Sequence, residues 1–288
     1  MRLVRTNAIR RVLMSWFSGG TPYVSASGVL DFSASQAYLR RLEADHGVKV
    51  SVQALLAAAL GRVHVEFPQA NRRILGGRVF QPPSVGLAMP VNLLGHAGGG
   101  RMELSMMVME EVDRKSLRQI NDELRGAVKD ERRGQPKNPV LRHVTSLAER
   151  LPGPIVHHGF QALSLVLDNP SLAALSWRLA PAAVGLTNPG AAITPGSGVL
   201  FRAAAVQLPV RPIHVASMFG VSTVQDEVFA IDGKPEVRPA LPLVYIFDHR
   251  LIDGVLAGRV LVRLGELLQR PEEHFGADGL TVLPTSQD

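Results

Sequence analysis

A histidine with a carboxylate four residues on and an arginine beside it stands at His249, Arg250 and Asp253, within the stretch LPLVYIFDHRLIDGVLAGRVLVRLGELLQR, residues 241–270. An imidazole accepts a proton near neutral pH, so His249 is a candidate general base once a partner holds its tautomer or its loop, a part open to Asp253. The same residues admit a plainer reading, in which Asp248, Arg250 and Asp253 pair to fix a strand exit and His249 stands by. Both readings need a rigid support. Leu243 to Phe247 has the length and the aromatic and β-branched content of a strand, and Asp253 with Gly254 is expected to close a tight turn. After it Val255, Leu256, Val260, Leu261, Leu264, Leu267 and Leu268 recur at helical spacing until Pro271. A titratable group at the exit of a buried strand, just before a helix, is well placed for proton transfer.

The run DHRLIDG, Asp248 to Gly254, resembles the DHRxxDG signature of the acyltransferase (E2) component of 2-oxoacid dehydrogenase complexes, and is similar to the HxxxDG signature of chloramphenicol acetyltransferases and condensation domains. The resemblance implies a chloramphenicol-acetyltransferase-like two-layer α/β fold with a mixed central sheet and packed helices. It implies that His249 deprotonates a thiol or other acceptor, which attacks the thioester carbonyl of an acyl-CoA. Acyl-CoA or CoA is then a substrate, with no bound lipoyl group and no metal. A homotrimer, or a larger assembly of trimers, is expected, with the active site between subunits.

Two further stretches carry the resemblance. AVGLTNPG, Ala183 to Gly190, looks like the family's TFTISNLG strand and turn, with Thr187 at the position of the serine that donates a hydrogen bond to the oxyanion, followed by Asn188, Pro189 and Gly190. A threonine keeps the donor and adds a methyl group. The plainer reading is a Thr-Asn turn that ends a strand. Near the amino terminus, Ile9, Arg10 and Arg11 look like the start of the family's mRkxiA pattern, which makes Arg10 the candidate to pair with Asp253 and brace the catalytic turn. VLDF, FPQAN, SVGLAMPV and RPIHVASMFGVSTV resemble further family strands and turns.

Composition bounds the alternatives. The chain has 288 residues, 46% of them hydrophobic, enough for a substantial core. It has no cysteine, which excludes disulfides, thiolate ligands and an acyl-cysteine intermediate. The formal charge of +6 suits anionic CoA phosphates as well as nucleic acid, but aromatic residues are only 5% and no basic run interleaves with them, so no nucleic-acid partner is expected. MRLVRTNAIRRVLMSWF lacks the apolar stretch of a signal peptide and reads as an amphipathic surface helix, with peripheral membrane contact through Trp16 and Phe17 as the alternative. A cytoplasmic protein is expected. His157 and His158 are adjacent, and adjacent rings rarely converge on one ion, so no metal site is expected.

Taken in order, the chain predicts an extended segment over Tyr23 to Phe32 and a helix from Ser33 with a Ser33 and Gln36 capping box, ending at Gly47. A second helix is predicted from Ser51 to about Glu66 with one apolar side and His64 at its rim. Strands follow over Arg78 to Val91 and Leu104 to Met109, then a surface helix from Ser116 to about Glu131. RRGQPKNP, residues 132–139, has linker composition. Residues 1–275 are read as one catalytic domain with a divergent excursion at about 137–180, a lid or a helical hairpin for a partner, and 276–288 as a flexible tail. With five lysines and no room ahead of the catalytic part, a lipoyl or subunit-binding module is not expected here, so the lipoyl or carrier domain would belong to another protein. A catalytically inactive E2-like scaffold or adaptor is the alternative.

Overall fold

The computed structural model describes residues 1–5, 22–92, 104–132, 150–192, 201–202, 204–205, 208 and 213–282. The 132–139 linker and the Arg10 brace fall outside these, apart from the backbone of Arg132.

A mixed sheet organises the fold. Its strands are β2 (Tyr23–Asp31), β5 (Leu87–Asn92), β6 (Leu104–Met109), β7 (Val184–Thr187), β8 (Ser217–Val221), β9 (Gln225–Ile231) and β10 (Lys234–Asp248). The order is β2-β10-β8-β7-β5-β6, with β9 also paired to β10. β5, β7 and β8 run parallel, and the remaining pairs are antiparallel. A smaller sheet, β1 (Arg2–Val4), β4 (Arg78–Gln81) and β3 (Arg73–Leu75), has β3 at its edge.

β10 extends well beyond the predicted Leu243 to Phe247. Its first half pairs with β9 as a hairpin turned at Asp232 and Gly233, both at positive φ, while its second half, Leu243 to Phe247, pairs with β8. Pro242 therefore sits where one partner strand hands over to the next, the place in a central strand where a missing N–H costs least. Leu241, Leu243, Tyr245 and Phe247 are buried in the main core, which makes this strand the floor under the candidate site.

Four helices form the second layer: α1 (Ser33–His46), α2 (Val52–Glu66), α3 (Leu117–Arg132) and α6 (Gly254–Gln269). The excursion supplies α4 (Gly153–Leu167) and α5 (Ala173–Leu179), and a short α7 (Pro271–Phe275) follows α6. α2 starts where predicted, with Ser51 Oγ accepting the Ala54 N–H at 3.1 Å. Its predicted single apolar side is a correction. Ala54 through His64 are all buried, because α2 is enclosed by α3, α6 and the sheet, so its short Ala side chains suit close packing from every direction.

α1 is not started by the predicted capping box. Ser33 is already helical, and Asp31 serves the helix start by accepting the Ser33 N–H at 3.0 Å. Gly47 ends the helix in the left-handed region, as predicted. Residues 276–282 are tied down rather than frayed: Tyr38 donates to the Gly276 carbonyl, Arg118 N–H to the Gly279 carbonyl and Arg62 to the Thr281 carbonyl. Polar composition suggested a tail, but the backbone carbonyls of these residues are the acceptors that three core-facing groups need. The rest of the predicted tail, 283–288, lies outside the described residues.

Candidate active site

The candidate base stands one residue beyond β10. The Asp248 carbonyl accepts the N–H groups of Leu251 and Ile252, each at 2.9 Å, so the chain turns at once after the strand. His249 N–H donates to the Pro22 carbonyl at 2.8 Å, which pins the turn to the chain entering β2. The turn brings the Ile252 carbonyl to 2.9 Å from His249 Nδ1. A carbonyl only accepts, so Nδ1 carries the hydrogen and the basic lone pair belongs to Nε2. The ring is half-buried, with Phe247 edge-on at 6.4 Å between centroids. Behind it Phe247, Tyr245 and Phe219 continue as a row of rings.

Asp253 does its work in the backbone. Its carboxylate accepts the Leu256 N–H at 2.9 Å and caps α6, while the carbonyl of Ile252 is the group on the imidazole. The expected tight turn at Asp253 and Gly254 is therefore displaced: the turn is at His249 to Leu251, Asp253 is the cap and Gly254 is the first helical residue. An aspartate capping a helix N-terminus also faces the positive end of the helix dipole, a second reason for its position.

Asp248 is fully buried and carries most of the polar bonds of the turn. Oδ1 accepts the Arg250 N–H at 2.8 Å and Nε at 3.0 Å, and Oδ2 accepts Arg250 Nη2 at 2.6 Å. A further bond comes from His214, whose Nε2 lies 2.7 Å from Oδ2. Burial alone would raise the Asp248 carboxyl, but the His214 and Arg250 bonds outweigh it and hold it down at about 2. The pairing of Asp248 with Arg250 is legible two residues apart, whereas His214, 34 residues away, has no local signal. It is the main polar partner that sequence reasoning missed.

Burial pushes the His214 ring down against the raising effect of Asp248, and pushes His64 down to about 4. His64 is not at a helix rim: it is buried edge-on against Phe219, with Nδ1 donating to the Leu60 carbonyl at 2.8 Å. Two histidines held neutral set the sign of an acid response. As pH falls below about 6.5 the unfolded chain binds protons that the folded chain refuses, so stability declines from there toward the folded values. For His64 alone the loss between pH 7.5 and pH 5 is expected to be about 2 kcal/mol, and Asp248 adds to it only below about pH 4. Denaturant melts at the two pH values check this; equal midpoints would mean that these rings are not buried neutral.

Thr187 ends β7, half-buried, with Gly190 just beyond it packed so closely on Ser222 and Thr223 that a Cβ would lie 2.4 Å from Thr223 N. Across the sheet Thr187 is level with Gly220 of β8 and Val244 of β10. The missing Cβ at Gly220 makes room for Val244 Cγ1, which would lie 2.8 Å from it, and the Thr187 methyl would stand 3.7 Å away. Because β10 runs antiparallel to β8, its His249 end lies level with the start of β7, not with Thr187. Five residue steps along the strands and two strand spacings across separate the two, roughly 20 Å. One chain therefore does not bring Thr187 to His249. Asn188 follows Thr187, half-buried.

The excursion returns to the sheet through a buried arginine. Arg73 of β3 donates to the Ala180 carbonyl at 2.5 Å and to the Ala182 carbonyl, just before β7, and its guanidinium lies 5.0 Å from the Trp177 ring centroid. Burial lowers it to about 9. Gly76 N–H donates to Asp168 at 3.0 Å. α4 itself leaves Ile155, Phe160, Leu165 and Val166 exposed. His157 and His158 lie on that helix, and among the described residues no group of three or more His, Asp or Glu is placed to hold a metal. No helix of the described residues is long and apolar enough to cross a membrane.

The mixed sheet with helices packed on it is a two-layer α/β fold of the chloramphenicol-acetyltransferase-like type. Residues 209–275, which carry β8, the β9–β10 hairpin, the turn and α6, match the 2-oxoacid dehydrogenases acyltransferase (catalytic domain) family. Over 58 residues the chain is 40% identical to the dihydrolipoyllysine-residue succinyltransferase component of the 2-oxoglutarate dehydrogenase complex of Rickettsia bellii, a match over 20% of this chain that spans only 14% of that relative's length. In structure it is similar to the dihydrolipoamide acetyltransferase of Azotobacter vinelandii, with a TM-score of 0.62 at 19% identity, over 95% of this chain and 93% of that one. Chloramphenicol acetyltransferase superposes with a TM-score of 0.53 at 13% identity, over 93% of this chain and all of the other.

Proposed function

We propose that the protein is a CoA-dependent acyltransferase that moves an acyl group between acyl-CoA and a thiol acceptor of dihydrolipoyl type or another small nucleophile. The observation that carries this reading is the His249 Nδ1 bond to the Ile252 carbonyl, which holds the imidazole in the tautomer that presents a basic Nε2. His249 Nε2 takes the acceptor's proton and the resulting thiolate attacks the thioester carbonyl. The tetrahedral oxyanion receives a hydrogen bond from Thr187 Oγ1, and collapse expels the CoA thiolate, which recovers the proton from the imidazolium.

The separation of Thr187 and His249 along the sheet supports a site between subunits, in which one protomer supplies the base and its neighbour the oxyanion donor. A homotrimer is the assembly in this reading, and each of its clefts would hold one His249 and one Thr187. Arg10 paired with Asp253 belongs to the same proposal, as the brace on the cap of α6, and Asn188 as the support of the Thr187 turn. A screen of acyl-CoAs against thiol and amine acceptors, read as release of free CoA, tests the activity. Release that needs both acyl-CoA and acceptor is the expected result.

The exposed apolar residues of α4 favour a second reading, an E2-like scaffold that binds a partner and does not turn over. The same screen separates the two: no CoA release with any pair, together with a stable partner recovered on the parent protein, supports the scaffold.

A further inference from the structure

We infer that β3 is a positioning strand for both halves of the site, and that His214 sets the catalytic turn by linking the Ile74 backbone to Asp248. The inference rests on the reading of His249 as the base. His214 is buried, accepts the Ile74 N–H on Nδ1 at 3.2 Å and presents Nε2 to Asp248 Oδ2 at 2.7 Å. Since Nδ1 accepts a backbone N–H, it holds no hydrogen; the ring is neutral and donates from Nε2. It therefore does not neutralise the carboxylate, which Arg250 already does, but fixes where that carboxylate sits. From there the path to the chemistry is short: Asp248 carbonyl to Ile252 N–H, and Ile252 carbonyl to His249 Nδ1.

The neighbouring residue of β3 reaches the other half. Arg73 holds the carbonyls of Ala180 and Ala182, and two residues after Ala182 β7 begins its run to Thr187. Ile74 and Arg73 thus tie one edge strand to both motifs through separate bonds. Sheet register alone leaves each motif free to pivot at its strand end, whereas these bonds oppose the pivot. A misplacement of about 1 Å at a reacting group costs up to about a hundredfold in rate, so such anchors matter to turnover more than to binding.

Two near-isosteres divide the two bonds of His214. In His214→Gln the amide nitrogen takes the place of Nε2 and keeps the donor to Asp248; in His214→Asn the amide oxygen takes the place of Nδ1 and keeps the acceptor for Ile74. H214N is expected to lower kcat about tenfold to a hundredfold relative to H214Q, with KM for acyl-CoA within about twofold. In nitrogen-15 spectra of the histidine rings, His249 should stay in the Nδ1–H tautomer in the parent and H214Q, and become a mixture in H214N. Equal kcat values in the two variants, or an unchanged His249 tautomer in H214N, would overturn the inference. So would an H214N chain that fails to fold while H214Q folds, since the Asp248 bond would then serve stability alone. If His249→Ala leaves turnover intact, the reading of His249 as base fails instead, and the tautomer comparison still decides the role of His214.

Discussion

His249→Ala is expected to reduce kcat for acyl transfer by about 10²- to 10⁴-fold, with KM for acyl-CoA little changed and the fold intact. The ring donates to the Ile252 carbonyl and meets Phe247 edge-on, while Asp248, Arg250 and Asp253 hold the turn through bonds to other groups. Loss of the ring therefore removes a proton acceptor rather than a keystone. Rates of CoA release at saturating acyl-CoA, measured beside circular dichroism and a thermal melt, make the comparison. Parent-like turnover in H249A would remove the mechanism and leave the scaffold reading.

Thr187→Val is expected to cost about 10²- to 10³-fold in kcat, or roughly 3 to 4 kcal/mol, while Thr187→Ser stays close to the parent. Valine keeps the shape of threonine and deletes the hydroxyl, and serine keeps the hydroxyl and deletes the methyl group that faces Gly220. The pair therefore separates oxyanion stabilisation from packing. Because the proposed site joins two subunits, the variants should also complement each other. In trimers assembled from equal amounts of H249A and T187V chains, half of the histidines and half of the threonines are intact, so about a quarter of the sites are whole and about a quarter of parent activity returns. Failure of the mixture to exceed either variant would sink the shared site, and light scattering that shows a monomer at micromolar concentration would do so before any kinetics.

Sequence alone made the strand before His249 and the helix after Asp253 legible, because their determinants are local, while the turn between them lies at His249 to Leu251 rather than at Asp253 and Gly254. An apolar β-branched and aromatic run, a polar triplet and a helical repeat stopped by Pro271 lie within 30 residues, and the resemblance of DHRLIDG gave the fold class. Helix ends set by Ser51 and Gly47 were readable for the same reason: a cap acts on the backbone next to it. The strand expected over Leu243 to Phe247 falls short of β10, which runs through Pro239 and Pro242, since whether a proline interrupts a strand depends on which neighbour needs its N–H, and neighbours are chosen by topology.

What only the tertiary structure decided is which distant groups meet. His214 and Asp248, Arg73 and the carbonyls of Ala180 and Ala182, and His64 and Phe219 are pairs formed by packing across strands, with no spacing rule to announce them. The division of labour around His249 belongs here too: a carbonyl at Ile252 rather than the carboxylate of Asp253 sets the tautomer, because backbone groups carry no residue identity to read. The placing of Thr187 and His249 at opposite ends of the sheet follows from strand direction, which a list of strands does not contain. Residue types and local order determined the candidate base, the strand before it and the helix after it; strand direction and long-range packing decided where the chain turns, what holds the turn, and that a single chain leaves His249 and the Thr187 hydroxyl apart.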